Sequence, residues 1–375
     1  MYTNKKNCCI ITPTEGAYSE TFIQNHIRYL GFGKTVIYAV ASTDFKLNGR
    51  SLFPPSFFNR LRQKSCTVFT GRKDHFLQKR FARLLINKKI DVVLAEYGPA
   101  GALVSNTCHA LGIPLVIHFH GYDASVIAVM ERYREAYKNM FSKAAAVIAV
   151  SRSMCDRLEK AGAPRELIHF NPYGVDTDIF KPAGRAKQKI FLAVGRFVEK
   201  KAPQITIRAF YKVWLQDGSI RLRMAGDGPL LEECRELVRE LGMKDAVDFL
   251  GVQTMEAVTK LMTGAYAFLQ HSVIARDGNA EGLPLAILEA GASGLPVIST
   301  NHEGIADVIQ DEFNGLLGNE GDVETMATNI LRLVTDESFA ERMGENARKR
   351  IVEQYNLAAQ IARLENILNN AANRI

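Results

Sequence analysis

At 375 residues the chain is long for one hydrophobic core, and with 47% hydrophobic and 23% charged residues it is too well stocked with apolar side chains to be disordered. No apolar run approaches the roughly 18–20 residues of a membrane-crossing helix, and the apolar stretch after Lys5 and Lys6 is too short for a signal peptide. The six cysteines (Cys8, Cys9, Cys66, Cys108, Cys155, Cys234) contain no CxxC pair, which suits a reduced, cytoplasmic compartment better than a disulfide framework.

The net charge of +7 is unevenly spread: residues 1–90 hold sixteen Lys/Arg against four acids, +12, leaving −5 for the remainder. The excess concentrates in 45–85, where phenylalanines alternate with Lys and Arg. Three readings fit this segment: a solvated helix face whose phenylalanines enter the core, a surface for anionic lipid headgroups, or a nucleic-acid surface. The expectation adopted here is the inner-leaflet membrane surface, with no nucleic-acid partner.

In chain order, short apolar runs alternate with helical stretches, the pattern of a parallel α/β sheet. Strands are expected at 8–12, 35–40, 91–96, 114–119, 145–150 and 167–172, with a helix from Ser19 ending near Gly31. Turn formers and charge over 174–188 read as an interdomain linker. The pattern restarts with strands at 189–195, 220–226, 248–251, 265–270 and 296–300 and a helix from about Ala202 to Trp214. Helices over 322–335 and 337–353 and a last one from Leu357 close the chain. Two facing Rossmann-like domains, 1–182 and 183–355, with a helix at 356–375 packing back on the first, are the economical architecture. Ligands of such sheets sit beyond the carboxyl ends of the strands, which puts the site in the cleft between domains.

Several polar or glycine-bearing stretches follow an expected strand: TEGAYSE (14–20), HFHGYD (118–123), GRFVEKKAP (195–203), GDGP (226–229) and EGLPLAILEAGASGLPVIST (281–300). In GRFVEKKAP, Arg196 and Lys201 flank the start of a helix, an anion site that fits a diphosphate. In the 281–300 run, Gly282 permits close approach of a ligand, Pro284 suits a first helical turn, and Leu283 and Leu285 offer backbone N–H groups. Glu281 and Glu289 lie in otherwise apolar sequence, where a carboxylate requires a partner. Next to a phosphate site, that partner is the hydroxyl groups of sugars.

These stretches resemble the signature of glycosyltransferase family 4, retaining enzymes of the GT-B fold. The two glutamates with GLPL between them, GRFVEKKAP, NPYGVDTDIF, MAGDGP and NHEGIADVIQDEFNGLL (301–317) occur in the family's order. SETFI and HFHGYD resemble the bacterial branch that builds exopolysaccharide, capsule and O-antigen. The resemblance implies that Glu289 holds the nucleotide ribose and Glu281 the donor hexose. It implies further that Arg196 and Lys201 neutralise the diphosphate with the backbone around Leu283–Leu285. Gly16 lets the first loop close over the phosphate, His120 lies beside the sugar, and the base stacks near Val252. TEGAYSE departs from the double-glycine loop common in the family.

The implied enzyme moves a hexose from a UDP- or GDP-sugar held by domain 183–355 to a lipid-linked or growing glycan bound by domain 1–182, without metal or cofactor, at the inner face of the cytoplasmic membrane. Its catalytic set is Glu281, His120, Arg196 and Lys201. The rivals are a sugar-nucleotide epimerase of the same fold and a non-catalytic sugar-nucleotide-binding subunit. Asp176-Thr177-Asp178 spells a metal-binding DxD but falls at the linker, where a turn is expected. His118 and His120 share a strand face without a visible third ligand, so His118 is expected to be structural. Asp123 is expected to cap the next helix, with a substrate contact as the alternative. Arg276 and Asp277 are either substrate contacts or solvated. The absence of GxGxxG with an acid about 20 residues on argues against a dinucleotide oxidoreductase.

Overall fold

The computed structural model describes residues 5–14, 20–40, 44–47, 49–52, 75–183 and 188–373. The first half contains β1 (Asn7–Thr12), α1 (Thr21–Tyr29), β2 (Gly33–Val40), β3 (Asp44–Leu47), β4 (Arg50–Ser51), α2 (His75–Asn87), β5 (Val92–Glu96) and α3 (Gly98–Ala110). It continues with β6 (Leu115–Phe119), α4 (Tyr122–Ser125), α5 (Ile127–Phe141), β7 (Ala146–Ala149), α6 (Arg152–Lys160) and β8 (Ile168–Phe170). These strands form one sheet in the order β4-β3-β2-β1-β5-β6-β7-β8. It is parallel except at the β2–β3 and β3–β4 pairs. β5, β6 and β7 are buried along their whole length, the reason their sequences read as unbroken apolar runs.

The second half contains β9 (Ile190–Val194), α7 (Pro203–Trp214), β10 (Arg221–Ala225), α8 (Leu231–Glu240), β11 (Val247–Gly251), α9 (Met255–Thr263), β12 (Ala267–Leu269) and α10 (Leu285–Ala292). β13 (Val297–Thr300), α11 (Ile305–Val308), β14 (Gly315–Gly318), α12 (Val323–Thr335), α13 (Glu337–Gln354) and α14 (Leu357–Ala372) complete it. Its six-stranded parallel sheet runs β11-β10-β9-β12-β13-β14. Local chemistry sets the helix starts: the side chains of Ser151, Thr254, Asp322, Asp336 and Asn356 accept from backbone N–H groups in the first turns of α6, α9, α12, α13 and α14.

α14 returns to the first sheet, burying Ile361, Leu364, Leu368 and Ala371 among Cys8, Ile10, Leu94, Val116 and Ile148. The chain crosses between the sheets twice in adjacent places, because Val175 bridges Asn356 in parallel. The Asp176–Asp178 stretch is a turn in which Asp176 Oδ1 accepts from the N–H groups of Asp178 and Ile179. Cys8, Cys9, Cys108, Cys155 and Cys234 are free thiols in the interior. No helix among the described residues is long and apolar enough to cross a membrane.

Of the basic segment, 44–47 and 50–51 are the antiparallel edge strands β3 and β4 and the stretch from His75 onward belongs to α2, while 53–74 lie outside the described residues. Phe45 and Phe81 are fully buried with ring centroids 5.1 Å apart, so these two phenylalanines belong to the core.

In each sheet the strand order reverses beside the first strand: β1 lies between β2 and β5, and β9 between β10 and β12. Crevices at such reversals, beyond the carboxyl ends of the strands, are where α/β sheets bind ligands. The two crevices face each other across a close contact. A Cβ placed on Gly282 would come within 2.3 Å of the His120 carbonyl oxygen, and one on Gly304 within 3.0 Å of the Ser151 Cβ. The Ile127 N–H donates to Asp277 O at 2.9 Å, and the Arg152 N–H donates to an Asp307 carboxylate oxygen at 2.8 Å. Arg157 pairs with Glu303 beside that contact.

Candidate active site

Between the halves lies a cavity of about 470 Å³. Arg196, Lys200, Lys201, Val252, Glu281 and Glu289 line one wall, and Glu20, Tyr97, His120, Tyr122 and Tyr173 the other. The cationic corner is built where β9 ends. The chain makes a single 3₁₀ turn over Glu199–Lys201, passes Ala202 in a left-handed conformation (φ 37°), and enters α7 at Pro203. Gly226 makes room for it: at φ 140°, a Cβ there would lie 1.9 Å from Gly195 O. Arg196 is exposed at the edge of the cavity, whereas Lys200 and Lys201 are largely covered.

Glu281 sits against those lysines. Lys201 Nζ is 3.1 Å from Oε1 and Lys200 Nζ 3.7 Å from Oε2. Burial would raise the Glu281 carboxyl, but the two ammonium groups outweigh it and hold it down at about 2. Burial lowers Lys201 more than Glu281 raises it, and Lys201 also donates to Gln270 Oε1 at 3.0 Å. The backbone of Glu281 is fixed by a relay: its N–H donates to His302 Nε2 at 3.1 Å. His302 Nδ1 is 2.5 Å from Glu320 Oε1, and Glu320 Oε2 accepts from the Ile274 N–H at 2.8 Å. His302 and Glu320 thus hold both ends of the loop that delivers Glu281.

α10 begins at Leu285 with Pro284 as its cap residue, one position later than the expected first-turn proline. The first N–H groups of a helix have no intrahelical acceptor, and those of α10 open on the cavity wall formed by Gly282, Leu283, Pro284 and Leu285. About one turn into α10, Glu289 reaches the same cavity. Burial pushes its carboxyl up to about 7, with Lys201 opposing. Two glutamates eight residues apart therefore differ in state: Glu281 is held as an anion, and Glu289 is a carboxyl that ionises near neutrality. Val252, 51% exposed, follows β11 at the cavity edge.

His120 lies on the opposite wall with both ring nitrogens engaged: Nε2 is 2.8 Å from Glu96 Oε2, and Nδ1 is 2.8 Å from Tyr173 Oη. Its ring packs against Phe22 and Tyr97. Glu96 Oε1 also takes His26 Nδ1 at 2.7 Å. Burial works against the Glu96 charge, but His26 and His120 reverse it and hold the carboxyl well below its usual range. His118, two residues from His120, is buried with its Nδ1 3.6 Å from Glu96 Oε2, and burial lowers its pKa. His118 and His120 therefore do have carboxylate and imidazole company. Glu96 and His26 come from other elements, and the donor atoms of His26, Glu96 and His118 lie within 4.8 Å of one another.

Asp123 differs from both of its expected roles. Fully buried, it accepts from the N–H groups of Gly98 (2.9 Å), His120 and Gly121 (3.0 Å each). It clamps the start of α3 to the loop after β6 and touches no part of the following helix's first turn by hydrogen bond. Arg276 extends into solvent and pairs with Glu199 at 2.9 Å, and Asp277 Oδ1 accepts from Asn279 N–H. Gly16 lies outside the described residues. Lys200, Glu96, Tyr173, His302 and Glu320 are site residues that the sequence reading passed over. Of these, Glu96 carried a usable signal, a carboxylate ending the apolar run VVLAE.

Residues 34–179 match the family described as Glycosyltransferase Family 4, and residues 175–350 the one described as Glycosyl transferases group 1. The chain is 31% identical over 277 residues to WcaL of Escherichia coli (strain K12), named as a colanic acid biosynthesis glycosyltransferase, with 72% of this chain and 68% of WcaL covered. It is 30% identical over 295 residues to the amylovoran biosynthesis glycosyltransferase AmsK of Erwinia amylovora, covering 76% of this chain and 72% of AmsK. Among solved structures, Anabaena Alr3699/HepE in complex with UDP and glucose is similar with a TM-score of 0.77 at 17% identity, over 97% of this chain and 99% of HepE. That likeness makes the two-sheet architecture the GT-B fold.

Proposed function

The chain belongs to the family 4 glycosyltransferases, and on that premise we propose that it is a retaining, metal-independent hexosyltransferase. Its donor is a UDP- or GDP-sugar and its acceptor a hydroxyl of a lipid-linked or growing surface polysaccharide. The observation that carries this reading is one cavity wall holding three cations, a helix N-terminus and two carboxylates of different protonation. Support for the product class comes from WcaL and AmsK, named for exopolysaccharide biosynthesis, and for the donor class from HepE, which holds UDP and glucose.

In this reading Arg196 and Lys200 face the diphosphate with the first N–H groups of α10, and Lys201 fixes Glu281 between them. These groups stabilise charge on the departing diphosphate where it develops, in place of a metal ion. Glu281, held by Lys201 and Lys200, keeps carboxylate lone pairs that can accept a hydroxyl of the hexose. Glu289 takes the ribose hydroxyls, and the base lies on Val252. The bond from the anomeric carbon to the diphosphate breaks while the acceptor oxygen bonds to the same face, and the acceptor proton passes to a phosphate oxygen. His120, with both nitrogens occupied, contributes its position and main-chain carbonyl rather than a proton. Attachment to the inner leaflet through the basic face of the first domain brings the enzyme to a lipid-linked acceptor.

The deciding experiment measures nucleotide release from a panel of UDP- and GDP-sugars with EDTA present, with and without bacterial lipid extract. Release that needs extract, with NMR showing the donor's anomeric configuration kept in the product, is expected. Donor hydrolysis or epimerisation without extract would replace this reading with the epimerase alternative.

A further inference from the structure

Apart from His120, the groups assigned to the donor stand on one wall of the cavity, which leaves Glu20, Tyr97 and Tyr122 on the other without a role. Tyr97 is held in an unusual backbone conformation, φ 74° and ψ 141°, which a bulky residue rarely adopts. The surroundings fix it there: its N–H donates to His118 O at 2.8 Å, and its carbonyl accepts from the N–H groups of Ala100 and Gly101 at the start of α3. Such strain persists where a side chain must be aimed. This one aims a phenol along the cavity wall, where its hydroxyl donates to Glu20 Oε1 at 2.9 Å, with Thr14 bonded to the other carboxylate oxygen. The Tyr122 ring lies 5.1 Å from the Tyr97 ring and is 38% exposed, immediately after Gly121.

A carboxylate fixed beside an exposed aromatic face is the chemistry that recognises a neutral pyranose. The ring's C–H face packs on the aromatic surface, and its hydroxyls donate to the carboxylate. The same wall repels anions. Arg196, Lys200 and Lys201 all stand opposite, so a phosphate or uronate placed on this wall would meet Glu20 instead of a cation. We propose that Glu20, Tyr97 and Tyr122 form the acceptor subsite, and that it takes the uncharged, hydroxyl-bearing end of a saccharide. The enzyme then extends a glycan already begun, and an earlier transferase that charges the lipid phosphate must supply its acceptor. This inference rests on the transferase reading.

The test uses the full chain saturated with UDP or GDP, whichever binds, and saturation-transfer NMR with methyl hexosides, hexose 6-phosphates and hexuronates as probes. Binding of at least one neutral glycoside is expected, with the anionic probes at least fivefold weaker. Tyr122→Ala and Glu20→Gln should each weaken the glycoside tenfold or more, leaving nucleotide affinity within twofold, and Tyr122→Phe should restore the stacking. Anionic probes binding as well as neutral ones, no neutral glycoside binding, or unchanged affinity in both variants would overturn the proposal. So would a parallel loss of nucleotide affinity, which would assign these residues to the donor. Glycoside binding at Tyr122 in a protein that turns over no nucleotide sugar would instead leave the subsite standing and remove the transferase reading.

Discussion

Lys201 Nζ lies 3.1 Å from Glu281 Oε1, and the pair is almost entirely withdrawn from solvent. A buried pair costs desolvation on both sides, and removing one member leaves an uncompensated charge, typically worth about 3–5 kcal/mol. Lys200, 3.7 Å from the other oxygen, tempers that cost for Glu281. Lys201→Met is therefore expected to destabilise the ligand-free protein by about 2 kcal/mol, and Glu281→Gln, which leaves two covered ammonium groups without a counter-ion, by more. Glu281 also matters in catalysis. Glu281→Gln should lower kcat by about 100-fold or more with little change in nucleotide affinity, since only the hexose contact is lost. Equal losses in kcat and nucleotide affinity, measured by steady-state kinetics and calorimetry, would move Glu281 off the sugar. The double variant should be non-additive in stability, because each single change already breaks the same pair.

Glu289 predicts a pH dependence of the opposite kind. Its folded carboxyl titrates at about 7 against an ordinary value of 4.5, because burial disfavours the charge. A raised folded pKa means that the folded state holds its proton over that window. The stability it contributes is present below about pH 4.5 and is lost as pH rises through about 7, at most about 3 kcal/mol. Glu289→Gln should thus raise the melting temperature of the ligand-free protein at pH 8 and leave it unchanged at pH 4.5. The same substitution should weaken nucleotide binding, since a carboxylate accepts two ribose hydroxyls and an amide offers a single acceptor oxygen. In the wild type, nucleotide affinity should strengthen as pH rises from 6 to 8, and that rise should vanish in the variant. A wild-type affinity flat across that range would separate Glu289 from the ribose.

The sequence carried the parallel strands because they are buried on both faces: AVIA is wholly apolar, VVLAE is polar only at its last residue, and LVIHF only at His118. β3 and β4 escaped because DFKL and RS are short, charged edge segments, indistinguishable in sequence from a solvated face. At the site, Arg196, Lys201 and Glu281 were legible because each falls at a strand end or just before a helix, and Glu289 because it interrupts an apolar helix; all four line one cavity. What sequence could not supply was pairing. Glu96 meets His118 through the register of β5 on β6, and His26 arrives from α1, 70 residues away. Lys201 turns to Glu281 rather than standing free, and His302 reaches back 21 residues to the Glu281 N–H. These are tertiary facts without a local periodic signature.

Gly282 tests the closure of the cleft. An added Cβ would sit 2.3 Å from the carbonyl oxygen of His120, a backbone atom that cannot swing away. Gly282→Ala is expected to force the two domains apart while each keeps its own core. Its kcat should fall about 100-fold, because transfer needs both walls, and misplacement by about 1 Å costs that much. Nucleotide affinity, which depends on one wall, should fall far less. Small-angle scattering should show a larger radius of gyration for the variant than for the wild type with donor bound. An unchanged radius with full activity would mean that the close contact at Gly282 is not part of the working state.

The basic face of the first domain is the remaining untried surface. On α2 and just after it, Lys79, Arg83, Lys88 and Lys89 are exposed around Ile86, itself 59% exposed, while Phe45 and Phe81 face inward. Cations ringing a protruding aliphatic side chain suit an anionic membrane surface, at about 1 kcal/mol for each basic residue near it. Lys79→Glu with Arg83→Glu should therefore cut binding to phosphatidylglycerol vesicles by at least tenfold, and the effect should shrink as salt screens the wild-type attraction. Ile86→Ser should weaken binding at every ionic strength, because its contribution is apolar burial. Activity on a short water-soluble acceptor should be unchanged in all these variants, and activity on acceptor held in vesicles should fall with binding. Co-sedimentation unaffected by the charge reversals would leave this face as a solvated surface and put membrane attachment elsewhere on the chain.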